Sequence, residues 1–196
     1  MKKLVVGTFL TLDGVMQAPG DPQEDTEGGF KHGGWQMPYF DDESGRIMDE
    51  NIAATDGLLL GRKTYQIFAA YWPTAPADDS MAKRLNSIPK YVVSTTLDKV
   101  EWNNSTLIKG NIAEEIAKLK KQPGSGILSV TGSGKLAQTL MQYNLVDEYE
   151  LWINPIVLGS GKRLFADGIV PINLNLVNTR TTSTGVMILT YQPEKK

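Results

Sequence analysis

The order of strand-like and helix-like segments constrains the fold of this 196-residue chain more than any other feature of its sequence. Up to residue 147, apolar strand-like runs alternate with amphipathic helical stretches, which indicates parallel strands joined by helical crossovers. From Glu148 onward, strand-like runs follow one another with no helical pattern between them, which favours antiparallel pairing. We therefore predict an α/β fold in one domain over residues 1–196, with a mainly parallel central sheet flanked by helices and antiparallel C-terminal strands.

The first predicted strand, Leu4 to Thr11, is apolar throughout, which indicates burial on both faces. Together with Lys2 and Lys3 it has the outline of a signal peptide, but Asp13 ends the apolar run and its Val, Phe and Thr residues suit a strand. The other predicted strands are residues 57–60, 90–94, 126–131, 149–158, 172–181 and 186–192. The predicted helices are residues 42–54 and 63–71, a short one within 77–87, and two containing residues 112–119 and 136–143.

The composition argues against several classes of function. A formal charge of −2 and a pI near 5.5 do not suit nucleic-acid binding, which needs a basic surface. No later apolar run approaches a membrane-spanning length, so we expect no membrane association. The absence of cysteine fits a cytoplasmic location and removes thiolate metal ligands. We interpret the single histidine, His32, as a solvated loop residue, and we expect no metal site other than an all-carboxylate Mg²⁺ site.

A long loop, residues 13–40, is rich in Gly, Pro and acidic residues. Loops of this length in a compact domain are usually either functional or disordered. Its aromatic residues, which include Phe30, Trp35 and Tyr39, favour function, and we expect a mobile lid that closes over a substrate.

Three predicted strands end in residues that suit a phosphate group. The first end is Gly61-Arg62-Lys63-Thr64, where two cations stand at a helix start and break the usual charge preference. The second is Ser94-Thr95-Thr96, which offers three hydroxyls. Anion binding explains both, and the alternatives are solvated cations at an ordinary turn and ordinary polar loop residues.

The third end is Thr131-Gly132-Ser133-Gly134-Lys135-Leu136, followed by Ala137. A P-loop would need Gly at 129 and Ser or Thr at 136, where the chain has Ser129 and Leu136. Gly132, Gly134 and Ala137 fit the dinucleotide fingerprint, although the downstream strands do not fit a Rossmann domain. Because ligands of open α/β sheets collect at the carboxyl ends of the strands, the three ends together predict a site for a dinucleotide.

In these motifs the chain resembles the dihydrofolate reductase-like proteins, in particular the C-terminal reductase domain of bacterial riboflavin biosynthesis deaminase-reductases. The matching pieces are TLDGVMQ, LLLGRKTYQIF, KYVVSTTL, VTGSGKLAQTL and VDEYELWINPIVLGSGKRLF, in the family's order over nearly the whole chain. The resemblance implies a dihydrofolate reductase-like sheet and NADPH as cofactor. It implies that the cofactor is held by Gly61, Arg62, Lys63, Thr64, Ser94, Thr95, Thr96, Gly132, Ser133, Gly134, Lys135 and Leu136.

On the substrate side, the resemblance implies contacts from Asp13, Gly14, Met16, Trp35, Tyr39 and Asp41, with Asp13 as the catalytic candidate. Asp41 lies one position later than the acid of dihydrofolate reductases. An alternative is that Asp41, Asp42 and Glu43 complement a helix dipole. Arg163 is either a surface cation or a contact to a substrate phosphate.

The expected function is NADPH-dependent hydride transfer to a small heterocyclic or sugar-linked substrate, similar to 5-amino-6-(5-phosphoribosylamino)uracil reductase, by a homodimer. Two alternatives remain open at this point: a dinucleotide-binding dimeric module without turnover, and a true dihydrofolate reductase.

Overall fold

A computed structural model describes residues 1–123 and 126–194, and these residues form one eight-stranded sheet with helices on both faces. The strands are β1 Lys3–Thr11, β2 Thr55–Gly61, β3 Lys90–Val93, β4 Ser105–Ile108, β5 Ile127–Thr131, β6 Glu148–Asn154, β7 Leu174–Thr181 and β8 Met187–Pro193. The α-helices are α1 Asp42–Ala54, α2 Arg62–Tyr71, α3 Ser80–Ser87, α4 Ile112–Lys121 and α5 Gly134–Gln142.

The strand order is β4-β3-β2-β5-β1-β6-β8-β7. The strands from β4 to β6 are parallel to their neighbours, whereas β8 pairs antiparallel with both β6 and β7. The predicted fold, including the change of pairing after Glu148, is therefore confirmed. Strand β4 was not predicted, because its four residues lie at the sheet edge and only Ile108 is buried.

The core lies on both faces of the sheet. One face packs Leu4, Val6 and Val130 against α4 and α5, which contribute Ile116 and Leu140. On the other face, Leu58 and Leu60 of β2 pack against residues of α2 and α3. Helix α1 covers a separate part of this second face, where its Ile47 packs with Trp152 of β6. The central strands are thus held between helices.

The loop 13–40 differs from the mobile lid expected from the sequence. Its residues Val15, Ala18, Phe30 and Trp35 form a buried cluster, in which Phe30 is 8% and Trp35 5% exposed. Buried Gln17 fastens the loop further, because its amide donates to the carbonyl oxygens of Asp25 (3.0 Å) and Glu27 (2.9 Å). The aromatic residues that suggested function are largely packing residues, and the loop is anchored to the protein.

Strand β6 ends at Asn154, four residues earlier than predicted. Pro155 has no N–H to donate to a neighbouring strand, and the N–H of Ile156 bonds back to the carbonyl of Asn154. The segment 155–173 then forms an irregular loop. An isolated bridge between Val15 and Arg163 connects it to residues 13–40, the first loop.

Candidate active site

The three predicted phosphate-binding strand ends lie side by side. Strand β2 pairs with β3 on one side and with β5 on the other, and all three run parallel. Their carboxyl ends, Gly61, Val93 and Thr131, therefore meet at one edge of the sheet. The sequence showed that three strand ends carry similar phosphate-binding motifs. It could not show that these ends are neighbours, because the order of strands in the sheet is set only in the folded chain.

Two of these ends are in direct contact. The backbone N–H of Gly61 donates to Ser133 Oγ at 3.0 Å, and the N–H of Ser133 donates to Thr64 Oγ1 at 3.1 Å. Gly132 and Ser133 both have positive φ, of 59° and 50°, in the left-handed region. A Cβ on Gly132 would lie 3.3 Å from Thr64 Oγ1, so a side chain there would crowd the contact.

Both helices that begin at this edge lack a side-chain cap. In α2 and α5 the N-cap residues, Gly61 and Ser133, make no side-chain hydrogen bond to the first turn. The other three α-helices of the described ranges are capped by Asp41, Asp79 and Asn111. The first amides of a helix need an acceptor and carry the positive end of its dipole. Two adjacent uncapped helix starts therefore suit an anion such as a pyrophosphate.

The cations of this edge are in different environments. Arg62 is exposed, and its guanidinium makes a long hydrogen bond of 3.4 Å to Gln66. Lys63 instead pairs with Glu27 and lies 3.8 Å from Asp25, both in the first loop. Lys162 also binds these two carboxylates, each at 2.5 Å. Hydrogen bonds from Lys162 and Lys63 lower the pKa of Glu27 to about 2. Glu27 is therefore ionised near neutral pH and partly neutralises the positive charge of Lys63.

The remaining cofactor candidates divide into accessible and packed groups. Thr95, Thr96 and Lys135 are exposed. Ser94 is buried, and its hydroxyl accepts hydrogen bonds from the N–H groups of Thr96 and Leu97, so it shapes the turn. The Leu136 side chain is buried in the core, which leaves only its backbone to face a ligand.

An open cleft lies over the middle of the sheet, beside the phosphate-binding edge. On β1, β5 and β6, residues facing α4 and α5 are buried, but their alternating neighbours Gly7, Ser129, Thr131 and Glu150 are partly exposed. A Cβ on Gly7 would meet no atom within 4 Å, although β1 lies between β5 and β6. Partial exposure at the centre of an eight-stranded sheet indicates an uncovered groove. The sequence analysis missed it, although glycine inside a strand is a recognised signal of close approach.

The first loop reaches the start of α5. A Cβ on Gly134 would lie 2.8 Å from Met16 Sδ, so Met16 sits directly on the first residue of that helix. Gly14 has a φ of 81° and turns the chain after β1. Of these two substrate candidates, Met16 is thus near the predicted pyrophosphate position as well.

Asp13 joins the first loop to the loop 155–173. Its carboxylate accepts hydrogen bonds from the Thr11 hydroxyl (2.6 Å) and from the N–H groups of Leu158 (3.2 Å) and Gly159 (2.8 Å). Arg163 donates from Nε to the carbonyl of Asp13 at 3.0 Å. The bonds from Thr11 and the two amides lower the pKa of Asp13 to about 2. Asp13 is therefore an ionised clamp near neutral pH and a poor source of a proton, and Arg163 is its partner.

The other substrate candidates are held in structural contacts. The indole N–H of buried Trp35 donates to the carbonyl of Gln17 at 2.8 Å. Tyr39 packs beside α1 and accepts a bond from Thr184 through its carbonyl. Asp41 caps α1 by accepting from the Ser44 N–H and hydroxyl and from the Ser183 hydroxyl, which hold its pKa well below the usual range. These contacts agree with the alternative, helix-terminal interpretation of Asp41.

Two further hollows occur on the described surface. One, of about 420 Å³, lies between the segments 27–32 and 160–162 and includes His32. The other, of about 660 Å³, lies between α2 and the segment 96–102, next to Thr96. Within residues 1–123 and 126–194, no group of three or more His, Cys, Asp or Glu residues is placed to hold a metal ion. No helix in the same ranges is long and apolar enough to cross a bilayer.

Comparison with known proteins identifies relatives over most of the chain. Residues 2–188 match the family profile described as the RibD C-terminal domain. The uncharacterized protein YyaP of Bacillus subtilis (strain 168) is 41% identical over 154 residues, which cover 74% of this chain and 81% of YyaP.

Solved structures share the fold at lower identity. A protein from Shewanella sp. PV-4 assigned to riboflavin biosynthesis superposes with a TM-score of 0.73 at 23% identity, over 98% of this chain and 99% of that one. Dihydrofolate reductase from Enterococcus faecalis gives 0.62 at 15% identity, over 98% and 97%. The Thermotoga maritima diaminohydroxyphosphoribosylaminopyrimidine deaminase/5-amino-6-(5-phosphoribosylamino)uracil reductase gives 0.62 at 13% identity, over 98% of this chain and 56% of that one.

Proposed function

Because the chain belongs to the RibD C-terminal domain family, a family of reductase domains, we propose that it is an NADPH-dependent reductase. In this proposal the whole chain, residues 1–196, is one catalytic domain that acts in the cytoplasm on a small heterocyclic or sugar-linked substrate. The bound nicotinamide cofactor supplies the hydride, and the protein positions the two reactants and excludes water.

The observation that carries the proposal is the pair of uncapped helix starts at Gly61 and Ser133, joined by a direct hydrogen bond. A pyrophosphate would complete both starts at once by accepting from their free amides. The dihydrofolate reductase of Enterococcus faecalis with the same fold was solved with NADP(H), which supports a dinucleotide over other anions.

We assign the parts of the cofactor to residues as follows. Gly132, Ser133, Gly134 and the backbone of Leu136 face the pyrophosphate, and Lys135 adds charge there. Gly61, Arg62 and Thr64 face the adenosine half together with Thr95 and Thr96, while Ser94 holds their turn. Arg62 is the principal partner of the 2′-phosphate, because it is exposed whereas Lys63 is paired with Glu27. A guanidinium binds a phosphate through two parallel hydrogen bonds.

The substrate would lie in the cleft over Gly7, next to the first loop. Gly14 and Met16 would border it, while Asp13, Trp35, Tyr39 and Asp41 would support it indirectly. The Thermotoga maritima protein of the same fold is a 5-amino-6-(5-phosphoribosylamino)uracil reductase, so this compound is the first substrate to test.

The test compares NADPH and NADH binding by isothermal calorimetry for wild type and Arg62→Glu. We expect the variant to lose at least tenfold in NADPH affinity and less than threefold in NADH affinity, since only NADPH carries the 2′-phosphate. Equal losses for both cofactors would remove the assignment of Arg62.

A dimeric dinucleotide-binding module without turnover is the second candidate. It is favoured by β7, an edge strand of the sheet whose Leu176 and Val177 are 54% and 49% exposed and could pair two copies. Sedimentation with and without NADPH tests the dimer. Cofactor binding without oxidation in the presence of dihydrofolate or the phosphoribosylaminouracil would favour the module over the enzyme.

A further inference from the structure

We propose that Glu150 is the proton donor to the substrate in the cleft over the central strands, an inference that rests on the reductase function proposed above. Reduction of a polarised carbon–heteroatom double bond by hydride leaves the heteroatom in need of a proton. The chain must therefore place an acid, or a path for water, over the cleft.

The position of Glu150 follows from the register of three strands. Gly7 of β1 pairs with Thr131 of β5 on one side and with Glu150 of β6 on the other. Paired residues direct their side chains to the same face, so Glu150 borders the open space above Gly7. Thr131 directly precedes the Gly132-Ser133 turn. Because β1 lies between β5 and β6, Glu150 is two strand spacings, roughly 10 Å, from Thr131. Gly7 lies between Thr131 and Glu150, so a ligand that extends from that turn across β1 would approach Glu150.

Glu150 has one free carboxylate oxygen. Its Oε1 accepts from Asn51 Nδ2 of α1 at 2.6 Å and from the indole N–H of Trp152 at 2.8 Å. Oε2 has no hydrogen-bond partner within the described residues, and it is not among their buried unpartnered atoms. The two donors fix the carboxyl group, and Oε2 remains available to a ligand.

The carboxylates that the sequence singled out are otherwise engaged. Both oxygens of Asp13 accept hydrogen bonds within the clamp, and both oxygens of Asp41 accept bonds at the start of α1. Glu148 lies on the same face of β6 as Glu150, but it pairs with Val5 rather than Gly7, and its Oε2 accepts from both Lys3 (2.7 Å) and Gln192 (2.9 Å). Among these four, Glu150 is the carboxyl that pairs with Gly7 and so borders the open space above it.

The surroundings of Glu150 favour its protonated form. Burial raises its pKa above the usual value, and this outweighs the hydrogen bonds from Trp152 and Asn51 that lower the pKa. The charged groups around it are Arg180, which lowers the pKa, and Glu148, which raises it. Arg180 also pairs with Glu50 of α1 at 3.0 Å, so part of its charge is compensated.

The proton passes from Glu150 to the substrate in one step. The Oε2–H bond of Glu150 breaks, and a new bond forms between that proton and the substrate heteroatom. The electron pair of the new bond comes from the former double bond, whose carbon would take the hydride that a bound dihydronicotinamide supplies. The Glu150 carboxylate then regains a proton from water that enters the open cleft.

The test uses Glu150→Gln, in which the amide oxygen can still accept from Asn51 and Trp152, and Glu148→Gln as the matched control on the same strand face. Two readouts are compared: the ¹³C-carboxyl titration of Glu150 in the unliganded protein, and the pH profile of kcat/KM with NADPH and either dihydrofolate or the phosphoribosylaminouracil. We expect Glu150 to titrate above the ordinary glutamate value, at the pH where wild-type kcat/KM begins to fall. Glu150→Gln should lose about 100-fold or more in kcat/KM and lose this pH limb, with NADPH affinity within twofold of wild type. Glu148→Gln should keep the wild-type kcat/KM and the pH limb, which should move slightly to lower pH because Glu148 raises the pKa of Glu150.

Three results would overturn the assignment. They are a Glu150 carboxyl that titrates at or below the ordinary value, a Glu150→Gln variant that retains kcat/KM within threefold, and a pH limb that persists in that variant. If wild type binds no NADPH, or oxidises none with either substrate, the reductase function fails and the donor role fails with it. Normal turnover by Glu150→Gln would remove the donor role alone.

Discussion

The backbone N–H of Gly61 donates to the hydroxyl of Ser133 at 3.0 Å, although 72 residues separate them in the chain. A second hydrogen bond joins the same two turns, because the Thr64 hydroxyl accepts from the Ser133 N–H. The turns after β2 and β5 therefore hold each other in place before any ligand is present. A site for a long, flexible dinucleotide benefits from such preorganisation, because less ordering remains to be done on binding.

Thr64→Val should weaken NADPH binding about fivefold. The substitution removes one acceptor of the contact, whose net worth is about 1 kcal/mol, and loosens the Ser133 turn. Calorimetry measures the change. Thr139→Val is the control, because the Thr139 hydroxyl donates to Lys135 O within its own helix, α5. Equal affinities in wild type and Thr64→Val would show that the contact does not prepare the site.

Arg62→Gln should cost more NADPH affinity than Lys63→Gln. Arg62 is exposed and ready to bind a phosphate, whereas Lys63 already pairs with Glu27. From the strength of charge-assisted hydrogen bonds, we expect NADPH affinity to fall about 10-fold or more for Arg62→Gln and about threefold or less for Lys63→Gln. Glu27→Gln should raise NADPH affinity by freeing Lys63. A larger loss at Lys63 than at Arg62 would reverse the assignment.

Asp13 should contribute to stability only above strongly acidic pH. Its folded-state pKa, about 2, lies below the unfolded value of about 4. The folded state therefore binds fewer protons in this interval, and the contribution is complete above pH 4 and lost as the pH falls toward 2. Thermal unfolding between pH 2 and 7 measures this. Asp13→Asn should have a lower melting temperature than wild type at pH 7, and its melting temperature should fall less between pH 4 and pH 2. An equal fall in melting temperature for both proteins would contradict the stabilising role of the Asp13 carboxylate.

Lys90 should make the protein more stable as the pH rises above 8. The side chain is fully buried, bonds to the carbonyls of Asn86 and Asn103, and lies 4.2 Å from the Trp102 ring centroid. Burial lowers its pKa from 10.5 to about 8. The unfolded state therefore binds more protons between these values, and stability rises with pH there. Lys90→Met should remove this slope in urea unfolding at pH 7 to 9.5, whereas Lys83→Met on the exposed face of α3 should keep it.

Gln17→Leu should release the first loop. The substitution leaves the carbonyls of Asp25 and Glu27 and the N–H of Lys162 without their partner, at a cost of about 2–4 kcal/mol. Limited proteolysis should cut the variant within residues 13–40 well before wild type. Gln23→Leu, at an exposed position of the same loop, is the control. Rapid cleavage of wild type in this segment would favour the mobile lid instead.

The sequence predicted features that depend on local pattern, and it missed those that depend on distant partners. Helix α1 was predicted at its observed bounds, because its apolar spacing and the acid before it are local signals. The pairing of Lys63 with Glu27 joins residues 36 apart and has no local signature. Glu150 was not selected, since acids that alternate with apolar residues along a strand, as Glu148 and Glu150 do, usually face solvent. Only the register with Gly7 shows that it borders a cleft.

Gly7 makes the cleft adjustable. Since an added Cβ there would touch nothing within 4 Å and the backbone does not require positive φ, alanine at this position would raise the floor without repacking the molecule, and valine or leucine would extend further into the cleft. Turnover of substrates with rings of different size, compared across these variants, would show how much height above Gly7 each ring needs. The size of this one side chain would then determine which rings fit the cleft.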